Sequence, residues 1–181
     1  LFTIKKVYTL KIALIGYGKM GKIIEQEAVA RGHEVVLAID MINKDYAAEV
    51  LKVADVAIEF TQPEAAVENM NKCFEAGIPV VVGTTGWYNR YEAIKQKCLE
   101  MGGTLFTATN FSIGVNITFA VNRYLAKIMS SQPDYKASMA ETHHTQKMDA
   151  PSGTAISLAE QIIDEHNAYT AWGLAGRDDA N

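Results

Sequence analysis

Cysteine is scarce in this sequence of 181 residues: Cys73 and Cys98 are the only two, and they lie 25 positions apart. Neither a CxxC redox pair nor a disulfide framework is open to such a chain, and a reducing cytoplasm is the compartment that fits it. Long apolar runs are missing as well. No segment nears the roughly 20 apolar residues that cross a bilayer, and residues 1–10 are interrupted by Lys5 and Lys6, so a soluble chain with no membrane partner is expected. The same opening stretch lacks an initiator methionine and reads as leader or vector-derived sequence ahead of the fold. Positive charge is not concentrated anywhere: 17 Lys and Arg stand against 21 Asp and Glu, and no basic cluster sits beside an aromatic platform. Nucleic acid is excluded as a partner on that ground. Internal repeats and low-complexity segments are absent.

What is present is apolar residue in quantity, 49% of the chain, enough for one full domain and part of another. From Leu10 onward short β-branched runs alternate with longer stretches of helical spacing, the pattern of βαβ units around a parallel sheet. Strands are expected at 11–15, 35–39, 56–60, 79–82 and 104–107, each apolar enough to be covered on both faces. A first helix carries Met20, Ile23, Ile24 and Ala28 and stops at Gly32; a second opens near Pro63 and closes before Gly77; a third runs over 88–101. After Asn110 the pattern changes to a long helix at 115–129, a strand around 135–141, a polar loop and a helix after Pro151. The expected fold is α/β, a Rossmann-type doubly wound parallel sheet over residues 10–112, followed by part of an α+β substrate domain over 113–181.

The first strand runs directly into Gly16-Tyr17-Gly18-Lys19-Met20-Gly21, a GxGxxG turn opening the first helix. Glycine there allows a tight turn, close approach of the backbone to a pyrophosphate, and packing of helix on strand. The phosphates would sit on the helix N-terminus. Alone the motif is weak, since any strand-to-helix turn can use glycine for geometry. Asp40 strengthens it by ending the second strand 19 residues past Gly21, the spacing of a carboxylate that holds the adenosine ribose. Such a carboxylate repels a 2′-phosphate, so NADH is expected to bind at least as well as NADPH, with Lys44 able to reach a phosphate. Gly83-Thr84-Thr85-Gly86 and Ala108-Thr109-Asn110-Phe111 follow two further strands and are placed to hold the nicotinamide, although each by itself is ordinary turn chemistry.

The densest chemistry lies in the fifteen residues from Glu141 to Ala155, with His143, His144, Lys147 and a helix start at Pro151-Ser152-Gly153-Thr154. Histidine and lysine together can donate protons and hold a carboxylate, and the helix N-terminus can take a second one, so a small dicarboxylate is the implied substrate. Metal binding is the rival for adjacent histidines. Neighbours on an extended chain point opposite ways, no cysteine accompanies them, and a third ligand would have to be Asp149 or Glu141, so no metal is expected. A bland alternative remains, a polar strand end with Asp149 and Ser152 as caps. His33 and His166 read as structural or solvated.

Glu141-x-His143-His144-x-x-Lys147-x-Asp149-Ala150-Pro151-Ser152-Gly153-Thr154-Ala155 resembles the signature of the dihydrodipicolinate reductase (4-hydroxy-tetrahydrodipicolinate reductase) family. Gly18-Lys19-Met20-Gly21, Glu59-Phe60-Thr61-x-Pro63, Gly83-Thr84-Thr85-Gly86 and Asn110-Phe111-Ser112-Ile113-Gly114-Val115-Asn116 resemble it too, and the likeness covers roughly residues 10–165. It implies NAD(P)H-dependent reduction of a cyclic dicarboxylate on the route to diaminopimelate and lysine. By that likeness His143 is the proton donor or acceptor at the reacting ring, Lys147 a second proton donor, and His144, Gly153 and Thr154 bind substrate. The cofactor would lie on Gly16, Tyr17, Gly18, Lys19, Met20, Gly21, Asp40, Gly83, Thr84, Thr85, Ala108, Thr109, Asn110 and Phe111.

The sequence departs from the pattern in three places. Lys19 stands where many members carry Arg, which replaces a fork by a point charge, and Thr109 replaces a frequent proline. The family is expected to continue with further strands, a tetramer-forming sheet and a returning helix. The residues from Trp172 to Asn181 do not resemble that continuation, and they read as a truncated or frame-altered product, or as a chain supplied in part. A non-catalytic nicotinamide-binding module, or an inactive fragment of the enzyme, is the alternative from another class. A sugar or amino-acid dehydrogenase would share the first domain and not need the histidine loop.

Overall fold

The computed structural model describes residues 8–143, 145 and 150–174. It divides into two compact units, with the boundary between Thr109 and Asn110.

In the first unit five strands, β1 (Lys11–Ile15), β2 (Glu34–Ile39), β3 (Val56–Glu59), β4 (Val80–Val82) and β5 (Leu105–Thr107), form one sheet in the order β2-β1-β3-β4-β5, every neighbouring pair parallel. The strand period of two explains how so short a sequence covers both faces. Along β1, Ile12 and Leu14 join Ala28 of α1 (Lys19–Ala30) on one face, and Ala13 and Ile15 enter the larger cluster on the other. That second face is closed by α2 (Pro63–Ala76) and α3 (Tyr91–Glu100). The doubly wound α/β fold is thus formed by helices on both sides.

α2 follows the expected start and stop closely. Pro63 takes the first turn, where a missing N–H costs nothing, and Gly77 ends the helix in the left-handed region at φ +71°. Between them Ala66, Met70, Cys73 and Phe74 recur at helical spacing and are buried. Full burial of Met70 or Phe74 stabilises the unit by about 1.5–3 kcal/mol each.

Three elements differ from expectation. α3 begins at Tyr91, after a short 3₁₀ turn at Tyr88–Arg90, because Trp87 is drawn wholly into the core just before it. A 3₁₀ turn at Ala48–Val53, unanticipated, carries the chain from β2 to β3 and buries Leu51 alone. One buried residue in six leaves no periodic signal. The expected strand at 135–141 does not form. A strand needs a partner for its ladder, and none exists among the described residues of the second unit. The N–H of Ala137 donates instead to the Tyr169 hydroxyl at 2.7 Å.

The described residues of the second unit are organised by two helices, α4 (Ile113–Met129) and α5 (Gly153–Glu165), packed on each other. Both are capped by serine. Ser112 Oγ accepts from the Val115 N–H at 3.5 Å, and Ser152 Oγ from the Ala155 N–H at 3.1 Å. Asn122 of α4 joins the pair by donating to Leu158 O at 3.0 Å and to Gln161 Oε1 at 3.2 Å. Among the described residues no helix is long and apolar enough to cross a membrane.

Candidate functional site

The sheet's register brings the strand ends into one row. Ile39, Ile15, Glu59, Val82 and Thr107 are successive partners across the five strands. The residues that follow them, Asp40, Gly16, Phe60, Gly83 and Ala108, therefore leave the sheet side by side at its carboxyl edge. Backbone bonds tie the row: Gly16 N–H to Ile39 O at 2.9 Å, Phe60 N–H to Ile15 O at 2.8 Å, and Gly83 N–H to Glu59 O at 2.9 Å. The chain leaves β1 toward α1 on one face and β3 toward α2 on the other. The gap between these two strands is therefore a topological switch point, where open α/β sheets bind ligands.

The three glycines of the first turn do three different jobs. Gly16 has φ +99°, and a Cβ there would lie 2.1 Å from Phe60 O. A Cβ on Gly21 would lie 2.3 Å from Gly16 O, so only glycine lets α1 pack back on the turn. Around Gly18 a Cβ would meet nothing within 4 Å. That opening lies before the free N–H groups of α1, and a helix N-terminus favours anions. Lys19 and Met20 are exposed beside it, while the half-buried Tyr17 donates its hydroxyl to the Glu25 carboxylate, a bond that raises the phenol pKa.

Asp40 is exposed at the end of β2, and its Oδ1 accepts from the Met41 N–H at 2.8 Å. Asn43, which the sequence reading passed over, shapes this corner: its Oδ1 accepts from the Asp40 N–H at 2.6 Å and its Nδ2 donates to Ala38 O at 3.0 Å. Asparagine three residues after a strand-ending aspartate is a turn signal that could have been noticed.

Between Gly18 and the fourth strand lies a cleft of about 300 Å³, lined by Met20 of α1, by Phe60, Thr61 and Pro63 after β3, and by Gly83, Thr84 and Thr85 after β4. Gly83 lets the Phe60 ring pack against the turn, since a Cβ there would fall 2.0 Å from the ring as it stands. Trp87 donates its indole N–H to Thr84 O at 2.8 Å and so holds the Gly83–Gly86 turn from below. Ala108 and Thr109 follow β5 in this unit, whereas Asn110 and Phe111 open the second unit. There Asn110 Oδ1 accepts from the Ser112 N–H at 2.8 Å, and its carbonyl from Asn116 Nδ2 at 3.0 Å.

The second unit carries its own polar cluster. Glu141 accepts from the Ser152 N–H at 2.8 Å and from the Ser152 hydroxyl at 2.5 Å, and its other contact is His143 Nε2 at 2.7 Å. The Ser152 hydroxyl and then His143 bring the Glu141 carboxyl down to about 2, so it is ionised and only accepts. Nε2 of His143 must then carry the hydrogen. Gly153 and Thr154 form the first turn of α5 immediately beyond Ser152, as the motif requires. His144 and Lys147, with Asp149, lie outside the described residues. Among the described residues no group of three His, Cys, Asp or Glu could hold a metal.

Two family models match the chain: "Dihydrodipicolinate reductase, N-terminus" over residues 10–111 and "Dihydrodipicolinate reductase, C-terminus" over residues 114–179. The second match runs into the tail that was expected to depart from the family. The 4-hydroxy-tetrahydrodipicolinate reductase of Christiangramia forsetii is 41% identical over 170 residues, covering 94% of this chain and 71% of that relative. That of Neisseria meningitidis is 33% identical over 191 residues, and the chain spans 66% of its length. Among solved structures, a dipicolinate-bound dihydrodipicolinate reductase from a Paenisporosarcina species shares the fold with a TM-score of 0.59 at 20% identity, covering 96% of this chain and 72% of that one. By its glycine turn, its strand-end cleft and these matches, the chain belongs to the dihydrodipicolinate reductase family.

Proposed function

We propose that this chain performs the NAD(P)H-dependent reduction of 4-hydroxy-tetrahydrodipicolinate to tetrahydrodipicolinate. The observation that carries the reading is the strand-end cleft, with an open glycine at the N-terminus of α1 and a family-type polar cluster further along the chain. The relatives named above carry this activity in their names, and the solved neighbour holds dipicolinate.

The reduced nicotinamide supplies the hydride. The protein's own residues bind, orient and move protons. Backbone N–H groups after Gly18 take the pyrophosphate, Asp40 takes the ribose hydroxyls, and Thr84 and Thr85 line the cleft for the nicotinamide end. Ala108, Thr109, Asn110 and Phe111 complete the cofactor's surroundings. Gly153 and Thr154 offer free N–H groups and a hydroxyl to one substrate carboxylate, with His144 on the same substrate. His143, whose hydrogen-bearing Nε2 is held by ionised Glu141, acts as proton donor or acceptor at the ring, and Lys147 is the second proton donor.

The test is the loss of nicotinamide absorbance when purified protein meets NADH and freshly generated substrate. His143→Gln and Lys147→Ala are expected to lose most turnover with cofactor affinity nearly unchanged, and wild-type turnover in either would end the assignment. Asp40 predicts a Michaelis constant for NADH no higher than that for NADPH. The second reading, a nicotinamide-binding module without catalysis, is favoured by one fact: every residue lining the cleft belongs to the first unit. NADH binding without substrate-dependent oxidation would select it.

A further inference from the structure

Beneath the cleft lies a carboxyl group that the roles above do not use. Glu59 ends β3 on the side of α2, is 0% exposed, and interrupts an otherwise apolar strand. Its Oε1 accepts from the Thr61 N–H at 3.2 Å, from the Thr61 hydroxyl, and from Asn69 Nδ2 at 3.4 Å. Thr84 joins the set through Thr61, whose N–H donates to the Thr84 hydroxyl oxygen at 2.8 Å. Asn69 extends the set. Its Nδ2 lies 3.3 Å from Thr61 Oγ1, and its Oδ1 accepts from the Tyr46 hydroxyl at 2.9 Å. Tyr46 stands on the connection that follows Asp40. One chain of hydrogen bonds, half-buried to buried, thus reaches the connections after β2, β3 and β4, three of those that border the proposed dinucleotide site.

We propose that Glu59 is the positioning residue of this cleft: it holds Thr61, Thr84 and Asn69 at fixed spacing, and through Asn69 ties the ribose-side connection to the nicotinamide-side turns before the cofactor arrives. The inference rests on the reading of the cleft as a nicotinamide-nucleotide site.

A structural filler would be apolar, like Met70 and Cys73 on the same face. A carboxyl group here requires a reason, because its Oε2 is buried without a hydrogen-bond partner among the described residues. Burial pushes the Glu59 carboxyl above its ordinary range, and the Thr61, Thr84 and Asn69 donors offset this only in part. Among the described residues no cation relieves it. The groups that face it are Thr61 and Thr84 from the strand-end loops, Tyr46 from the connection, and Asn69 and Cys73 from α2. Lys72 pairs with Glu68 at 2.8 Å and lies 4.3 Å over the Tyr46 ring instead. Glu59 is therefore a hub of hydrogen bonds, and an amide of the same shape can supply the accepting oxygen.

The experiment is NADH dissociation constants and melting temperatures for the whole chain and four variants. Glu59→Gln is expected to bind NADH within about threefold of wild type and Glu59→Ala at least about tenfold more weakly. Met70→Ala removes a buried side chain from the same helix face and should lower the melting temperature comparably while leaving the NADH constant within about threefold. Tyr46→Phe, an isosteric change that cuts the far arm, should weaken NADH by about threefold with little loss of stability. It decides the matter if Glu59→Ala does not fold. Wild-type affinity in Glu59→Ala or in Tyr46→Phe, or an equal loss in Met70→Ala, would overturn the positioning role, and Glu59→Gln as weak as Glu59→Ala would overturn the part given to its accepting oxygen. Wild-type protein that binds no NADH removes the reading of the cleft together with this inference, whereas wild-type binding with indifferent Glu59 variants removes the inference alone.

Discussion

Among the residues of the glycine turn, Gly18 separates folding from binding most cleanly. Its backbone lies at φ −78°, which any residue adopts, and a Cβ would meet no protein atom within 4 Å. Gly18→Ala is therefore expected to change stability by no more than about 1 kcal/mol, yet to weaken NADH at least about tenfold because the methyl group fills the pyrophosphate's place. Melting temperature and NADH binding measured together check this, and normal affinity would put the phosphates elsewhere. Gly21→Ala should instead disrupt the unit, since its Cβ would collide with Gly16 O. Glu141 invites a test by acid. Its carboxyl is lowered to about 2 from the ordinary 4.5 by the Ser152 hydroxyl and His143, so its contribution to stability is fully present above pH 4.5 and is lost as pH falls through the folded value. Glu141→Gln should flatten the acid loss of stability between about pH 4.5 and 2, followed by circular dichroism of the helices. At the same time it should lower turnover by loosening His143. At this scale the sequence was uneven in what it disclosed. Asp40, the glycines and His143 announce themselves by type and spacing, whereas Glu59, Asn69 and Tyr46 are separated by ten and more positions and meet only through the register of β3 and the rotation of α2.

At the scale of elements, α4 and α5 are joined by a polar pin. Asn122 Nδ2 satisfies both Leu158 O and Gln161 Oε1, and Gln161 is buried. Asn122→Ala leaves a buried acceptor unpaired and is expected to cost about 1–3 kcal/mol in the second unit, read as faster amide exchange along α5 with β1 to β5 unchanged. Arg123, 3.7 Å from both Asp164 and Glu165 on exposed surface, should contribute little when removed. Strands and helices of the first unit were legible because both faces of the sheet are covered: β-branched runs then stand out, and the helices between them show clear starts and stops at Pro63 and Gly77. The elements that escaped lacked a local signature. The turn at Ala48–Val53 buries only Leu51, and the strand expected at 135–141 would depend on a neighbouring strand rather than on its own residues.

The whole chain folds as two compact units that part between Thr109 and Asn110, and the sequence pattern changes after Asn110. The residues proposed for the cofactor were legible from local rules, since a strand end, a glycine turn and an acidic residue ending the next strand are read from type and spacing. The cluster of Glu141, His143 and Ser152 was recognisable only as a motif, because Glu141 and Ser152 stand eleven positions apart and meet through hydrogen bonds at the start of α5. The two tryptophans fall one to each unit. Trp87 is 0% exposed and bonded to the turn that lines the cleft, whereas Trp172 is 43% exposed. Their emission should resolve into a blue component from a dry, rigid indole and a red one from a hydrated indole. Reduced nicotinamide absorbs where Trp87 emits, so a bound dinucleotide should quench the blue component by energy transfer and sensitise its own fluorescence. Trp87→Phe should abolish that sensitised signal, and a signal that survives it would have to come from Trp172.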